Sequence, residues 1–268
     1  MNPSTLDLSI LWPACVAGLL ITATHVPLGV QVLNRGIVFI DLAIAQIAGL
    51  GVVFAGWLGL EPQGAEVQAC ALIAALAGAL LLTWTDRRWP EVQEATIGVT
   101  FVLAASLALL LLASNPHGGE HLKELLVGQI LWVSPARLPL IALVYALLLA
   151  VMGFTRHRSG HAGFYAMFAV AVTISVQLVG LYLVFATLIV PALATRRFAR
   201  HRLAVAYTLS GMAYVLGLVI SAYTDVPPGP AIVCAMVLLA IAVFARGPRN
   251  SKPGKHPAGR KADGIIRL

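Results

Sequence analysis

The residues of this chain that could do chemistry begin with Asp41, a carboxylate inside the apolar run GIVFIDLAIAQIAGLG, residues 36–51. A charge in hydrocarbon costs several kcal/mol unless it faces a protein interior or a watered cavity, so such a residue usually marks a pathway or a structural pair. We therefore predict that Asp41 lines a transport pathway, together with the amide of Gln46. The alternative is that Asp41 pairs with Arg35 or caps a helix near the inner membrane surface.

Two further polar positions inside apolar runs are candidates for the same pathway. His25 lies in the segment ITATHVPLG, where Pro27 frees backbone carbonyls of a helix, and it could lie opposite the helix of Asp41. A buried histidine that is hydrogen-bonded to a carbonyl is the commoner arrangement and stays open as the alternative. Gln177 precedes Gly180 in a later run, where hydrogen bonding between packed helices is the alternative role.

The polar segment NPHGGEHLKELLVGQILWVS, residues 115–134, offers a weaker candidate site. His117 and His121 have a spacing that places two imidazoles on one helix face, as in some metal sites. The glycine pair between them interrupts any helix, so a solvated loop is the alternative. Apolar residues recur further on at near-helical spacing, which predicts an amphipathic surface helix over 118–134.

Composition predicts a membrane protein. Of the 268 residues, 59% are hydrophobic and 11% are charged, whereas soluble domains carry about 25% charged residues. Apolar runs long enough to span a bilayer lie near 8–33, 37–60, 67–85, 96–113, 138–154, 162–195, 203–224 and 226–245. We expect one all-α, polytopic transmembrane domain over 1–245 and a basic, disordered cytoplasmic tail over 246–268.

The basic residues predict the orientation of these runs. Most of the Lys and Arg residues can face the cytoplasm if the chain starts outside and crosses nine times. Nine crossings require the 162–195 run to cross twice, with a break near Gly180. Each half then has only about 16 residues where about 20 are usual, so Gly180 and Pro191 suggest broken helices packed inside a bundle. The alternative is one long, tilted helix.

Four segments carry a resemblance to a known family: GIVFIDLAIAQIAGLG (36–51), EATIGVTFVLAASLALLLL (94–112), LKELLVGQILWVS (122–134) and SVQLVGLYLVFATLIVPALAT (175–195). In this order and spacing they resemble the permease subunit of the zinc-, manganese- and iron-type metal ABC importers. The resemblance implies a type II importer fold and a homodimer in the bacterial inner membrane. It also implies a cytoplasmic ABC ATPase subunit, an extracytoplasmic metal-binding protein and a divalent metal as cargo, with no cofactor and no nucleic acid bound.

The same resemblance implies contact roles for charged residues in the connections between spans. The binding protein would meet the external segment at Glu120, His121, Lys123 and Glu124. The ATPase would meet cytoplasmic connections at Arg87, Arg88, Arg156 and Arg158. Simple anchoring of basic residues at the cytoplasmic surface is the alternative role for these arginines.

Two departures from the family pattern bear on cargo and coupling. The family usually has Gly-Asp-x-x-x-His in its second span, whereas here Gln46 aligns with that histidine and Asp41 stands one position early. An amide oxygen is a weaker ligand for such metals than an imidazole. His25 could replace the missing imidazole if it lies opposite the helix of Asp41. The cytoplasmic segment TRHRSGHAG, residues 155–163, is shorter and more basic than the coupling helix of the family.

No GxxxxGK motif followed by Ser or Thr occurs in the chain, and neither does GxSxG or HExxH. ATP binding by a phosphate loop and the common hydrolase chemistries are therefore not expected. We expect a non-enzymatic permease subunit of an ABC importer for divalent metal ions, zinc or manganese. The alternatives are an uncoupled membrane accessory subunit and a permease for a chelated metal or small organic ligand.

Overall fold

The computed structural model describes residues 8–61, 64–112, 128, 130–155, 161–198 and 200–247. Over these ranges the chain is helical and has no strand. Its α-helices are α1 (Leu8–Arg35), α2 (Ile40–Trp57), α3 (Ala65–Arg88), α4 (Gln93–Leu112), α5 (Leu138–Thr155), α6 (His161–Val179), α7 (Leu181–Ala194), α8 (Arg202–Thr224) and α9 (Pro228–Arg246). Short 3-10 turns precede α4 (Pro90–Val92) and α5 (Ile130–Trp132 and Pro135–Arg137).

Within the described ranges, eight of these helices are long and apolar enough to cross a membrane, and α7 is a shorter apolar helix of 14 residues. Helices are the expected solution because each backbone polar group finds its partner inside its own segment, where lipid offers none. The prediction of an all-α, polytopic helical membrane protein with eight or nine spans is therefore confirmed.

The predicted break in the 162–195 run lies at Gly180, which separates α6 from α7. Its backbone has φ +83° and ψ 161°, a region that is essentially restricted to glycine. Gly128, with φ +72°, packs directly on this corner, because a Cβ at Gly128 would clash with the backbone of Val179 and Gly180. Two glycines thus allow two non-helical segments to approach closely.

The two helices on either side of Gly180 run in opposite directions beside α1. The guanidinium of Arg35, at the end of α1, lies 4.1 Å from the ring centroid of Phe164, near the start of α6. Gly29, also near the end of α1, packs against Leu188 in the second half of α7. The structure therefore has two antiparallel helices here, as predicted, and the single tilted helix is wrong. At about 1.5 Å per residue, α7 is shorter than a full span.

One face of α1 is set by small and polar residues, and it packs closely against α7 and α8. Gly18 leaves room for the ring of Tyr214, and a Cβ at Gly29 would clash with the carbonyl oxygen of Leu188. Thr22 Oγ1 lies 2.9 Å from Ser210 Oγ. Small residues permit such close approach between helices in lipid, where there is no hydrophobic driving force between them. Further hydrogen bonds between these helices join Thr187 to Tyr214, Tyr207 to the carbonyl of Ala23, and Arg202 to the carbonyl of Ala192.

A second group of helices consists of α2, α3 and α4. Here Gly51 of α2 packs on the backbone of α3 at Cys70 and Ala71, and Gly78 of α3 makes room for Ile47. The long helix α6 touches both groups, since it packs against α3 and α2 as well as α1. The bundle therefore has two helix groups with α6 between them.

The basic connections that the structure describes share one end of the bundle, which we call the basic end. Phe164 of α6 holds Arg35, and Phe244 near the end of α9 lies 5.7 and 4.1 Å from the guanidinium carbons of Arg196 and Arg197. The basic end also carries Arg87, Arg88, Arg200, Arg202 and Arg246. The opposite end carries Glu61, Glu66, Arg137 and Asp225. This distribution is the one that the positive-inside rule predicted from the sequence.

Candidate functional site

Asp41 lies in the first turn of α2 and is 0% exposed. Neither of its carboxylate oxygens has a hydrogen-bond partner. The helix is capped at Phe39 without a side-chain hydrogen bond, and Arg35 lies over the ring of Phe164 instead. Both structural alternatives for Asp41, the pair with Arg35 and the helix cap, are therefore wrong. A buried carboxylate without a partner needs a proton, a water or an ion to explain it.

Gln46 is half-buried on the same helix, five residues after Asp41. Because α2 is regular from Ile40 to Trp57, the two side chains point about 140° apart around its axis. The positions that follow Asp41 on its own face are Ala45 and Ala48, both buried. No other residue of α2 on that face can act as a metal ligand, and the structure does not bring Asp41 and Gln46 together.

His25 lies on the face of α1 that packs against α7 and α8, and it is fully buried. Its Nδ1 is 3.1 Å from the carbonyl oxygen of Ile21 and 3.1 Å from Thr24 Oγ1, whereas Nε2 has no partner. An Nδ1–H that donates to Ile21 leaves an unprotonated Nε2. Since α2 packs mainly against α3 and α4, the structure does not place His25 opposite Asp41, and the carbonyl-bonded alternative is the one observed.

Gln177 is half-buried near the end of α6, and its Nε2 is buried without a hydrogen-bond partner. One turn earlier, Thr173 is also buried, and its Oγ1 has no partner either. Ser175, between them in sequence, bonds to the carbonyl of Ala171 and to the hydroxyl of Tyr145. Sequence reasoning found Gln177 and missed Thr173, although the spacing of four residues was visible as a signal.

A buried network that sequence reasoning missed joins three helices at the basic end. Gln93, at the start of α4, accepts a hydrogen bond from Thr85 Oγ1 (2.9 Å) and donates to the carbonyl of Leu82 (2.9 Å) and to Tyr165 Oη (3.2 Å). These contacts fix the end of α3 and the start of α4 to the start of α6. The signal in the sequence was a polar pair, Gln-Glu, directly after the turn at residues 90–92.

The neighbour of Gln93 fixes the start of α2 in a similar way. Glu94 Oε1 accepts a hydrogen bond from the backbone N–H of Phe39 at 3.3 Å, and its Oε2 is buried without a partner. A carboxylate is favourable there because the N-terminus of a helix carries partial positive charge. The helix that carries Asp41 is therefore anchored by α4 rather than by its own side chains.

Several predicted contact residues can be placed only in part. Arg87 and Arg88 are exposed at the end of α3, and their contact with an ATPase stays a prediction. His117, Glu120, His121, Lys123, Glu124, Arg156 and Arg158 lie outside the described residues, as does the tail after Gly247. The described end of the predicted surface helix is a 3-10 turn, Ile130–Trp132, with Ile130 buried. No group of three metal-ligating side chains occurs among the described residues.

The sequence is similar to that of known transport proteins over almost its full length. It is 25% identical over 260 residues to the high-affinity zinc uptake system membrane protein ZnuB of Haemophilus influenzae. The alignment covers 88% of this chain and 98% of that protein. It is 24% identical over 280 residues to the manganese transport system membrane protein MntC of Halalkalibacterium halodurans, with 96% and 94% covered.

The fold is similar to that of a chain of PsaBC from Streptococcus pneumoniae in complex with Fab. The TM-score is 0.72 at 22% identity, over 91% of this chain and 93% of that chain. The family model described as the ABC 3 transport family matches residues 7–159 and 156–247 of this chain. The predicted resemblance is confirmed by these matches, and this chain, a multi-pass helical membrane protein, belongs to the ABC 3 transport family.

Proposed function

We propose that this chain is the permease subunit of an ATP-driven importer for divalent metal ions, with zinc or manganese as cargo. The family match supports the transport role, and the names of the two relatives support the choice of metals. The structural observation that carries the proposal is Asp41, a buried carboxylate with both oxygens unpartnered. The chain itself carries out no catalysis in this proposal.

The energetics of Asp41 favour a cation as its partner during transport. A buried charge without compensation is strongly unfavourable, so the carboxylate must take up a proton or a cation when the bundle closes around it. Carboxylate oxygens suit manganese and are accepted by zinc. A single carboxylate binds such an ion only weakly, which suits a path because a transported ion must also leave.

The distribution of charge over the bundle supports the side at which each partner would dock. We place the basic end, and with it the C-terminal tail, in the cytoplasm, where a separate ATPase subunit would contact the exposed Arg87 and Arg88. An extracytoplasmic metal-binding protein would dock at the opposite end, near Arg137. Two copies of this chain would form the dimer in the bacterial inner membrane around which the importer is built.

The test is elemental analysis of cells that lack this chain, grown in metal-depleted medium with and without a restored copy. The restored copy should raise cellular zinc or manganese, and a copy with Asp41→Asn should not, although it reaches the same level in the membrane. Asn keeps the size of the side chain and removes the charge. Loss of uptake therefore reports the missing carboxylate.

The matched control is Asp225→Asn, the same substitution at an exposed position in the connection after α8. Asp225 has a left-handed backbone with φ +53°, which asparagine also adopts readily, so uptake should be unchanged. Full uptake by the Asp41→Asn copy would remove Asp41 from the path. Absence of any metal increase with the unaltered chain would overturn the proposed function itself.

The shortened cytoplasmic segment 155–163 favours a second candidate, an accessory subunit without coupled transport. A chain of this kind would keep the fold and lose stable contact with an ATPase. Purification in mild detergent separates the two candidates. An ATPase subunit that copurifies in equal amounts supports the importer, and recovery of this chain alone, from cells that show no metal uptake, supports the accessory subunit.

A further inference from the structure

We propose that Thr173 and Gln177 form a polar strip on α6 that lines the ion path and hydrogen-bonds the water shell of a hydrated divalent cation. Residues four apart lie on one face of a helix, and both of these carry a buried polar atom without a hydrogen-bond partner. The identity of the cation rests on the proposed function, whereas the contact of the polar strip with water is independent of that function.

Thr173 differs from the other buried hydroxyl residues of the described chain. Nine of these residues have a hydrogen-bond partner: Thr22, Thr24, Thr83, Thr85, Ser175, Thr187, Thr195, Ser210 and Ser221. Four of the nine donate to the carbonyl four residues earlier, the usual way to satisfy a hydroxyl inside a membrane helix. Thr173 is 2% exposed and makes no such bond.

The contacts of α6 show which side the polar strip does not face. Phe164 lies against Arg35 of α1, and Ser175 bonds to Tyr145 of α5. At about 100° per residue, Thr173 points about 180° from Phe164 and about 160° from Ser175. The polar strip is therefore turned away from α1 and α5. The other helices that contact α6 are α2, α3 and α7, and α2 is the helix of Asp41.

The chemistry of the polar strip suits water rather than direct coordination of a metal. A hydroxyl both donates and accepts, and an amide nitrogen donates. Two unpartnered groups one turn apart can each bond a water molecule, and bridging waters are nearly as favourable as direct hydrogen bonds. A hydrated cation could therefore pass Gln177 and Thr173 without losing its shell, before it meets the carboxylate of Asp41 nearer the basic end.

Thiol labelling tests the polar strip without reference to any metal. Single cysteines are placed as Thr173→Cys, Gln177→Cys and Ser175→Cys in a chain whose free Cys15, Cys70 and Cys234 are changed to alanine. Cells and inside-out vesicles with ATP are treated with a cationic, membrane-impermeant methanethiosulfonate. Because only a hydrated thiol ionises and reacts readily, positions 173 and 177 should label on the order of tenfold faster than position 175.

Equal labelling of all three positions, or no labelling of positions 173 and 177 on either side of the membrane, would overturn the proposal. A lipid-facing control is Leu110→Cys, since Leu110 is 71% exposed on the surface of α4, and this position should not react. Selective labelling of positions 173 and 177 in cells that show no metal uptake would support the polar strip as part of an aqueous path. It would contradict a metal ion as the cargo of that path.

Uptake by apolar variants of similar size gives a second, independent readout. Thr173→Val and Gln177→Leu should lower the rate of zinc or manganese uptake several-fold and leave the melting temperature of the purified protein unchanged. Thr187→Val is the control, because Thr187 bonds to the carbonyl of Leu183 and lies 2.9 Å from Tyr214 Oη. That variant should lower the melting temperature. A lower melting temperature with normal uptake for Thr173→Val would assign it a packing role and overturn the proposal.

Discussion

Among the described residues, six side chains keep a buried polar atom without a hydrogen-bond partner, and four of them were considered for the path: His25, Asp41, Thr173 and Gln177. Their surroundings assign them different roles. Asp41 has no partner at either oxygen, and Thr173 and Gln177 share one face of α6. His25 is held within its own helix through Nδ1 and faces the closely packed side of α1. Burial of a polar atom is thus not enough to indicate a path. The packing of the helix face that carries the atom must be considered as well.

We expect His25→Leu to retain metal uptake. Leucine is similar in volume to histidine and removes the unpartnered Nε2, whose burial costs about 1–3 kcal/mol. The melting temperature of the variant should therefore equal or exceed that of the unaltered chain. Thermal unfolding and metal content of cells are the two measurements. A folded His25→Leu variant that takes up no metal would place His25 in the path, as the sequence suggested.

At the scale of the elements, Gly180 could be predicted because two lines of sequence evidence meet there. The 162–195 run is too long for one span, and the basic residues on both sides require an even number of crossings. The glycine within the run, Gly180, then indicates the position of the break between the two crossings. What the sequence could not provide is the partner of the corner, Gly128, because the contact joins segments that lie about 50 residues apart and depends on backbone alone.

We expect Gly180→Ala to lower stability markedly. The backbone at Gly180 has φ +83° and ψ 161°, where a Cβ costs about 1–3 kcal/mol, so the variant should melt earlier and reach the membrane at a reduced level. The control is Gly153→Ala in α5, where nothing lies within 4 Å of the added Cβ. Alanine should stabilise that helix by up to about 1 kcal/mol. Equal melting temperatures for the two variants would show that the corner is not a constraint.

The sequence indicated some residues of the candidate site but not their arrangement. Asp41 and Gln177 were found because polar groups stand out in apolar sequence. Their relations were not, because the packing order of the helices is absent from a single sequence: α1 and α2 are joined by a short connection, yet each packs mainly with other helices. The bond from Gln93 to Tyr165 spans 72 positions, and no local pattern indicates such a pair.

At the scale of the whole molecule, α6 connects the basic end to the interior. Its first turns are held by Arg35 and by Gln93, through Phe164 and Tyr165, and its later turns carry the polar strip. The 155–163 segment leads directly into this helix. A displacement of that segment by a partner would therefore move the polar strip relative to α2, because a helix transmits motion along its length as a rigid element.

The orientation of the bundle can be measured with reporter fusions. We expect a fluorescent protein fused after Gly247 to fluoresce and an alkaline phosphatase at the same position to be inactive, because the basic end should be retained in the cytoplasm. Fusions after Glu61, at the opposite end, should give the reverse result. The physical reason is the contrast between the two ends, with eight described arginines at the basic end and acidic residues predominating at the other. Phosphatase activity after Gly247 would invert the topology, and with it the sides at which the ATPase and the binding protein are proposed to dock.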